Sequence, residues 1–189
     1  MRRLTIIALI IVLLLAFSMA TLAMPGRGPQ AAPAPGDQSI AEIAIDAGFT
    51  ELVAALFYVD EELGAGLVDL FLDGTDQFTV FAPTDEAFEN LYDAQGYDGI
   101  SDVPPEVVLD VLFYHVVEGR RAANSVVPPV RDRTITTLLG ASFTVNSDAV
   151  ITDIAGQEAE ILLPNISASN GIIHVIDTVL LPFEPEPVE

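Results

Sequence analysis

The chain has 189 residues, with seven basic side chains against 28 acidic ones and a formal net charge of −21. Every basic residue is an arginine, and cysteine and tryptophan are absent. With 51% hydrophobic residues, it has the makings of one sizeable folded core rather than a disordered chain. Such acidity argues against a nucleic-acid binder, whose phosphate contacts need cations, and against docking on anionic membranes. The lack of cysteine excludes thiol catalysis, disulfides, thiolate zinc sites, iron–sulfur clusters and a lipid anchor on cysteine. Two histidines, His115 and His174, cannot build a multi-histidine metal centre in one chain, although carboxylates can hold hard cations. No cofactor is expected.

Residues 1–23 read as an export signal: Arg2 and Arg3 precede an apolar run from Leu4 to Phe17, and Thr21-Leu22-Ala23 offers small residues for cleavage. Cleavage is expected after Ala23, with Ala20 as the second choice. It would leave five basic residues against 28 acidic ones, a net of −23. The competing reading is an uncleaved anchor, because Leu4 to Ala23 supplies about the 20 residues a bilayer span requires. Membrane contact is expected only in that case. Residues 24–38 are rich in proline and glycine and read as a linker, and residues 184–189 form an acidic tail. One domain, residues 39–183, lies between them.

Ser39 and Glu42 have the spacing of a capping box, followed by Ile40, Ile43, Ala44 and Ala47 on one helix face. Thr50 is expected to cap a second helix with Leu52, Ala55, Leu56 and Val59 inward, and Leu67 to Leu72 suggests a third. Gln77 to Phe81 reads as a strand stopped by Pro83, with another helix starting at Thr84 or Asp85. Pro104-Pro105-Glu106 opens a helix with a Val107, Val108, Val111, Leu112 stripe. The period then changes to two. Strands are expected at Thr134–Leu138, Ser142–Asn146, Val150–Ile154, Ala159–Ile166 and Ile172–Ile176, with Asn170-Gly171 as a hairpin turn of positive φ. Helices first and strands later make an α+β domain.

Three stretches carry a family resemblance: Phe78 to Phe88, which reads FTVFAPTDEAF; Tyr114-His115 before Val116-Val117; and Ala168 to Pro182, which reads ASNGIIHVIDTVLLP. In order and separation they resemble the fasciclin (beta-Ig-H3) domain, over about Gln38 to Pro182. The resemblance implies a β-wedge of two sheets with helices packed at one end. It also implies a secreted or surface-attached module for adhesion or matrix contact, without enzymatic activity, and nominates Tyr114 and His115 for adhesion. Two segments depart from the pattern, the acidic run in Phe57 to Gly66 and the stretch Tyr92 to Gly99, and both are placed on surface loops. Arg-Gly-Asp is absent, and integrin recognition is not transferred.

For Tyr114 and His115 a structural role is favoured, the tyrosine filling the core and the histidine bonding a neighbouring loop. His174, alternating with Ile172 and Ile176, is expected to pack in the same manner. None of the seven serines after residue 23 lies in a Gly-x-Ser-x-Gly elbow. The acids of Asp73–Asp76 and Asp93–Asp102 do not follow calcium-loop spacing and read as turn chemistry. Asn165-Ile166-Ser167 is a formal glycosylation acceptor. Arg120, Arg121, Arg131 and Arg133 form a candidate polyanion patch, with pairing to carboxylates as the favoured alternative. The functional expectation is a secreted or envelope-associated adhesion module for extracellular proteins or polysaccharides. A small-ligand-binding domain with a pocket between helices and sheet is the second reading, and a hydrolase the weaker third.

Overall fold

A computed structural model describes residues 35–73 and 76–183. The expected export signal, the acidic tail and most of the expected linker lie outside the described residues. The first helix, α1 (Ile40–Asp46), starts with the anticipated capping box: the Ser39 hydroxyl accepts the Glu42 N–H, and the Glu42 carboxylate accepts the Ser39 N–H at 2.7 Å. Ala47, expected on its inner face, is instead its exposed C-cap. α2 (Thr50–Leu63) ends at Gly64, whose φ of 65° closes the last turn in the left-handed region. α3 (Leu67–Asp73) follows, then β1 (Phe78–Pro83) and α4 (Asp85–Gln95), which Thr84 caps through the Ala87 N–H.

Thr50 does not cap α2 with its own side chain: the N-cap position is Phe49, and the carboxylate that serves the helix start belongs to Asp85. Phe57 to Leu63 and Tyr92 to Gln95 are helix rather than surface loop, and Tyr92 is buried with its hydroxyl donating to Glu51 at 2.9 Å. The acidic residues of the first segment continue α2 outward because its apolar stripe runs on through Val59.

After a 3₁₀ turn at Ile100–Asp102, α5 (Pro105–Tyr114) leads through His115 into β2 (Val116–Glu118). A short α6 (Ala123–Val126) precedes β3 (Arg133–Thr136), β4 (Ser142–Val145), β5 (Val150–Thr152), β6 (Glu158–Ala168) and β7 (Gly171–Ile176). β2 and α6 are too short to leave a periodic signal.

The strand order is β2-β1-β7-β6-β5-β4-β3. β1 and β7 run parallel, from Phe78 opposite Gly171 to Pro83 opposite Ile176, and the other neighbours are antiparallel. Long β6 joins two ladders: Glu158–Glu160 pair with β5, while Ile161–Ala168 pair with β7 across two irregularities in register. Irregularities of this kind bend a strand, and these follow the point where β6 passes from one ladder to the other. The Leu138 N–H donates to the Val116 carbonyl at 2.8 Å, so the chain just beyond β3 meets β2.

Phe81, Tyr114, Ile135, Phe143, Ile151 and Ile176 belong to the core inside the wedge. On the other face Phe78, Val80, Ile173 and Val175 pack against Leu52, Leu56, Phe71, Phe88 and Leu112 of the helices. Both faces of β1 and β7 are therefore covered, and every residue in the two strands is buried. The end of the expected linker also lies on this body, the Gly36 N–H donating to the Ala168 carbonyl and the Ser169 N–H to the Gln38 carbonyl.

Candidate functional site

The junction of α5 and β2 carries the nominated pair. Tyr114 has no exposed surface; its ring meets Phe143 edge to face at 5.9 Å, and its hydroxyl donates to the Ser142 carbonyl at 3.1 Å. Burial pushes the phenol up to about 12. His115 is the residue after the last helical turn and is 2% exposed. Its Nε2 accepts the Leu180 N–H at 2.9 Å, which leaves Nδ1 to carry the proton and donate to the Val111 carbonyl at 2.7 Å. One imidazole thus ties the end of α5 to the segment after β7. Desolvation lowers its pKa to about 4, only partly offset by the bond to Val111, so the ring is neutral near pH 7.

His174 takes the opposite tautomer. Its Nδ1 accepts the Asn165 N–H at 3.3 Å, and Nε2 donates to the Arg121 carbonyl at 2.9 Å. Burial again lowers the pKa. Asn165 reaches this position through a left-handed φ of 67° in the irregular middle of β6, and its carboxamide oxygen accepts the Ala123 N–H at the start of α6. The formal glycosylation acceptor is thus half-buried and hydrogen-bonded to the fold.

The four arginines are put to different uses. Arg120 sends one nitrogen to the carbonyls of Ala168 and Gly171 at 2.8 and 2.7 Å and to Gln77, and the other to the Ser167 hydroxyl. Its partners are carbonyl and hydroxyl groups around the β6–β7 turn. Arg121 points its side chain at the Glu118 carbonyl, and Arg133 donates to the Ser125 carbonyl of α6. Arg131 is exposed, on the loop that carries Val130 at 81% exposure.

The β6–β7 turn itself differs from its sequence reading. Ser169 and Asn170 are the loop residues, and neither they nor Gly171 have positive φ. Glycine is needed at 171 for proximity: a Cβ there would sit 2.2 Å from the Phe78 carbonyl oxygen and 2.6 Å from Ile40 Cδ1. Asn170, 4% exposed, accepts the Ile40 N–H through Oδ1 and donates from Nδ2 to the Phe71 carbonyl, both at 2.8 Å. Its partners lie 130 and 99 positions away, so no local pattern announces the role. Asp153 has a distant partner too, in Leu181, 28 positions on. Buried at 7% exposure, it accepts the N–H of Gln157 and of Leu181.

Two apolar voids of about 40 and 30 Å³ lie between helices and sheet, with Leu52, Leu112 and His115 in both walls. They are far below the roughly 300–1,000 Å³ of a small-molecule site. Among the described residues no group of three or more histidine or acidic side chains could hold a metal ion, and no helix is long and apolar enough to cross a membrane.

The model of the Fasciclin domain matches residues 48–182. The chain is 34% identical over 144 residues to the uncharacterized protein sll1735 of Synechocystis, covering 76% of this chain and 97% of that protein. It is also 34% identical over 116 residues to the immunogenic protein MPB70 of Mycobacterium bovis, covering 61% of this chain and 54% of that one. Among solved structures, a FAS1 domain pair from the insect cell adhesion molecule fasciclin I superposes with a TM-score of 0.52 at 21% identity, over 69% of this chain and 45% of that one. The mixed seven-stranded sheet, the Tyr-His pair buried at the α5–β2 junction and the match over residues 48–182 agree, and the chain belongs to the fasciclin domain family.

Proposed function

We propose that this protein is a secreted or cell-envelope-associated adhesion module that binds extracellular proteins or polysaccharides by surface complementarity and makes or breaks no bond. The observation that carries the reading is where the polar groups of the motifs go. Both nitrogens of His115 and of His174, the Tyr114 hydroxyl and the Arg120 guanidinium are all engaged inside the fold. Recognition is left to the outer surface, which exposes separate apolar side chains: Val130 beside Arg131, and Leu162 and Leu163 at 51% exposure on β6. The likeness in fold to the FAS1 domain pair of the insect cell adhesion molecule fasciclin I supports the same reading. In this proposal residues 1–23 are the export signal, 24–38 a linker, 39–183 the binding domain and 184–189 an acidic tail, with membrane attachment only if the first segment is retained. A single domain offers one weak contact, so adhesion gains strength from clustering.

The test is a screen of the purified exported chain against immobilised matrix proteins and polysaccharides, with oligomeric state measured by light scattering. Saturable binding that Val130→Asp or Leu162→Asp weakens at unchanged melting temperature is the expected result. Turnover of an ester or glycoside panel without binding to any surface would overturn the proposal.

A further inference from the structure

We propose that Asn170-Gly171 is a deamidation site which the native fold holds shut and which opens when α1 lifts away. In a free chain this dipeptide is chemically labile, because glycine places no side chain beside its amide nitrogen. The Gly171 nitrogen attacks Asn170 Cγ; a new C–N bond forms, the bond to Nδ2 breaks, and ammonia leaves with the proton that the Gly171 nitrogen gives up. Water then opens the cyclic imide to aspartate or isoaspartate.

The fold requires the labile pair and also blocks its reaction. Glycine is demanded by the approach of the Phe78 carbonyl and Ile40 to position 171. Asparagine is demanded because position 170 must accept from the Ile40 N–H of α1 and donate to the Phe71 carbonyl of α3. Turning the carboxamide toward the Gly171 nitrogen breaks both bonds. The main chain is clamped as well, the Asn170 carbonyl accepting the Phe78 N–H and Arg120 spanning the Ala168 and Gly171 carbonyls. Of the elements that hold the carboxamide, α1 is a seven-residue helix and the first of the domain, and short terminal elements open at free energies below that of global unfolding, so α1 is the gate proposed here.

The product cannot return to the native arrangement. An aspartate at 170 has no donor for the Phe71 carbonyl and turns a carboxylate oxygen toward it in a buried site, while isoaspartate adds a backbone carbon to a tight turn. Each opening of α1 thus carries a chance of a one-way change that stops its redocking.

The full chain is incubated at neutral pH with and without urea, and deamidation is followed by peptide mass mapping, with Asn146-Ser147 as internal reference. The native rate at Asn170 is expected to lie roughly a hundredfold or more below the unfolded rate. Ile40→Ala, which loosens α1, raises the native rate at Asn170 and not at Asn146. A native rate close to the unfolded one, or no response to Ile40→Ala, overturns the gate. Hydrogen exchange on Asn170→Asp tests the one-way step: faster exchange in α1, or failure to fold, supports it, and native protection in α1 overturns it.

Discussion

The carboxylate of Asp85 caps a helix that Asp85 does not belong to, accepting the backbone N–H of Thr50 at 3.3 Å, that of Glu51 at 3.0 Å, and the Thr50 hydroxyl. Asp85 stands in the first turn of α4, and Thr50 opens α2. One acid therefore satisfies open donors at one helix start while facing the positive end of its own helix. Asp85→Ala is expected to cost about 1–2 kcal/mol, the range of a lost cap. Urea midpoints of Asp85→Ala, Thr50→Val and the double variant should show coupling between the two sites; strictly additive losses would rule out the shared cap.

Asp60 does comparable work inside an acidic run. It lies in α2, and its carboxylate accepts the Leu67 and Val68 amides at the start of α3, both at 2.8 Å. Its neighbours Glu61 and Glu62 are exposed. Asp60→Ala should lose about 1–2 kcal/mol, whereas Glu61→Ala and Glu62→Ala should stay within about 0.5 kcal/mol of the parent in the same urea titration.

What was legible in the sequence divides along distance in the chain. The capping box at Ser39, the Thr84 cap and the proline start of α5 could be read because their partners are within one helical turn. β1 and β7 could be read from composition, and the order of the motifs indicated the family. Asp85 reaching Thr50, Asn170 reaching Ile40 and Phe71, and Asp153 reaching Leu181 are set by tertiary folding, and in the sequence they look like ordinary turn or surface polar residues. The arginine cluster was legible only as proximity in sequence, and folding gives Arg120 and Arg133 different carbonyl partners.

Gly171 offers a sharp test of why a glycine is present. Its φ is not in the left-handed region, so alanine is conformationally acceptable there, yet the added Cβ would meet the Phe78 carbonyl at 2.2 Å. Backbone cannot yield as a flexible side chain can. Gly171→Ala is expected to destabilise by about 3 kcal/mol or more, or to prevent folding, as overpacking of a rigid site does. Thermal unfolding at the parent's midpoint would show that the β1–β7 approach is not rigid.

His115 links stability to pH. Its folded pKa of about 4 lies below the ordinary 6.5, so the unfolded chain takes up the proton first as pH falls. Its contribution is complete above about 6.5, declines as pH drops toward 4, and is then exhausted, amounting to about 3 kcal/mol over that window. Lowered His174 acts in the same direction. Protonation would also deprive the Leu180 N–H of its acceptor. Urea midpoints between pH 7 and 5 should fall in the parent and fall less in His115→Gln. The His115 ring resonance should stay in its neutral position throughout, and a titration midpoint near 6.5 would contradict the burial argument.

Arg120 and Arg131 separate structure from recognition. The Arg120 guanidinium spans the two sides of the β6–β7 turn, and removing it takes charge-assisted bonds from the Ala168 and Gly171 carbonyls. Arg120→Gln is expected to cost about 2–3 kcal/mol. Arg131 is exposed beside Val130, and Arg131→Gln should change stability by no more than about 0.5 kcal/mol. If a polyanion docks on this side, Arg131→Gln weakens it at unchanged stability, whereas Arg120→Gln affects binding only as far as it unfolds the domain. Binding to an acidic polysaccharide column at matched folded fraction distinguishes the two, and a loss confined to Arg120→Gln would place the anion at the turn rather than on the loop.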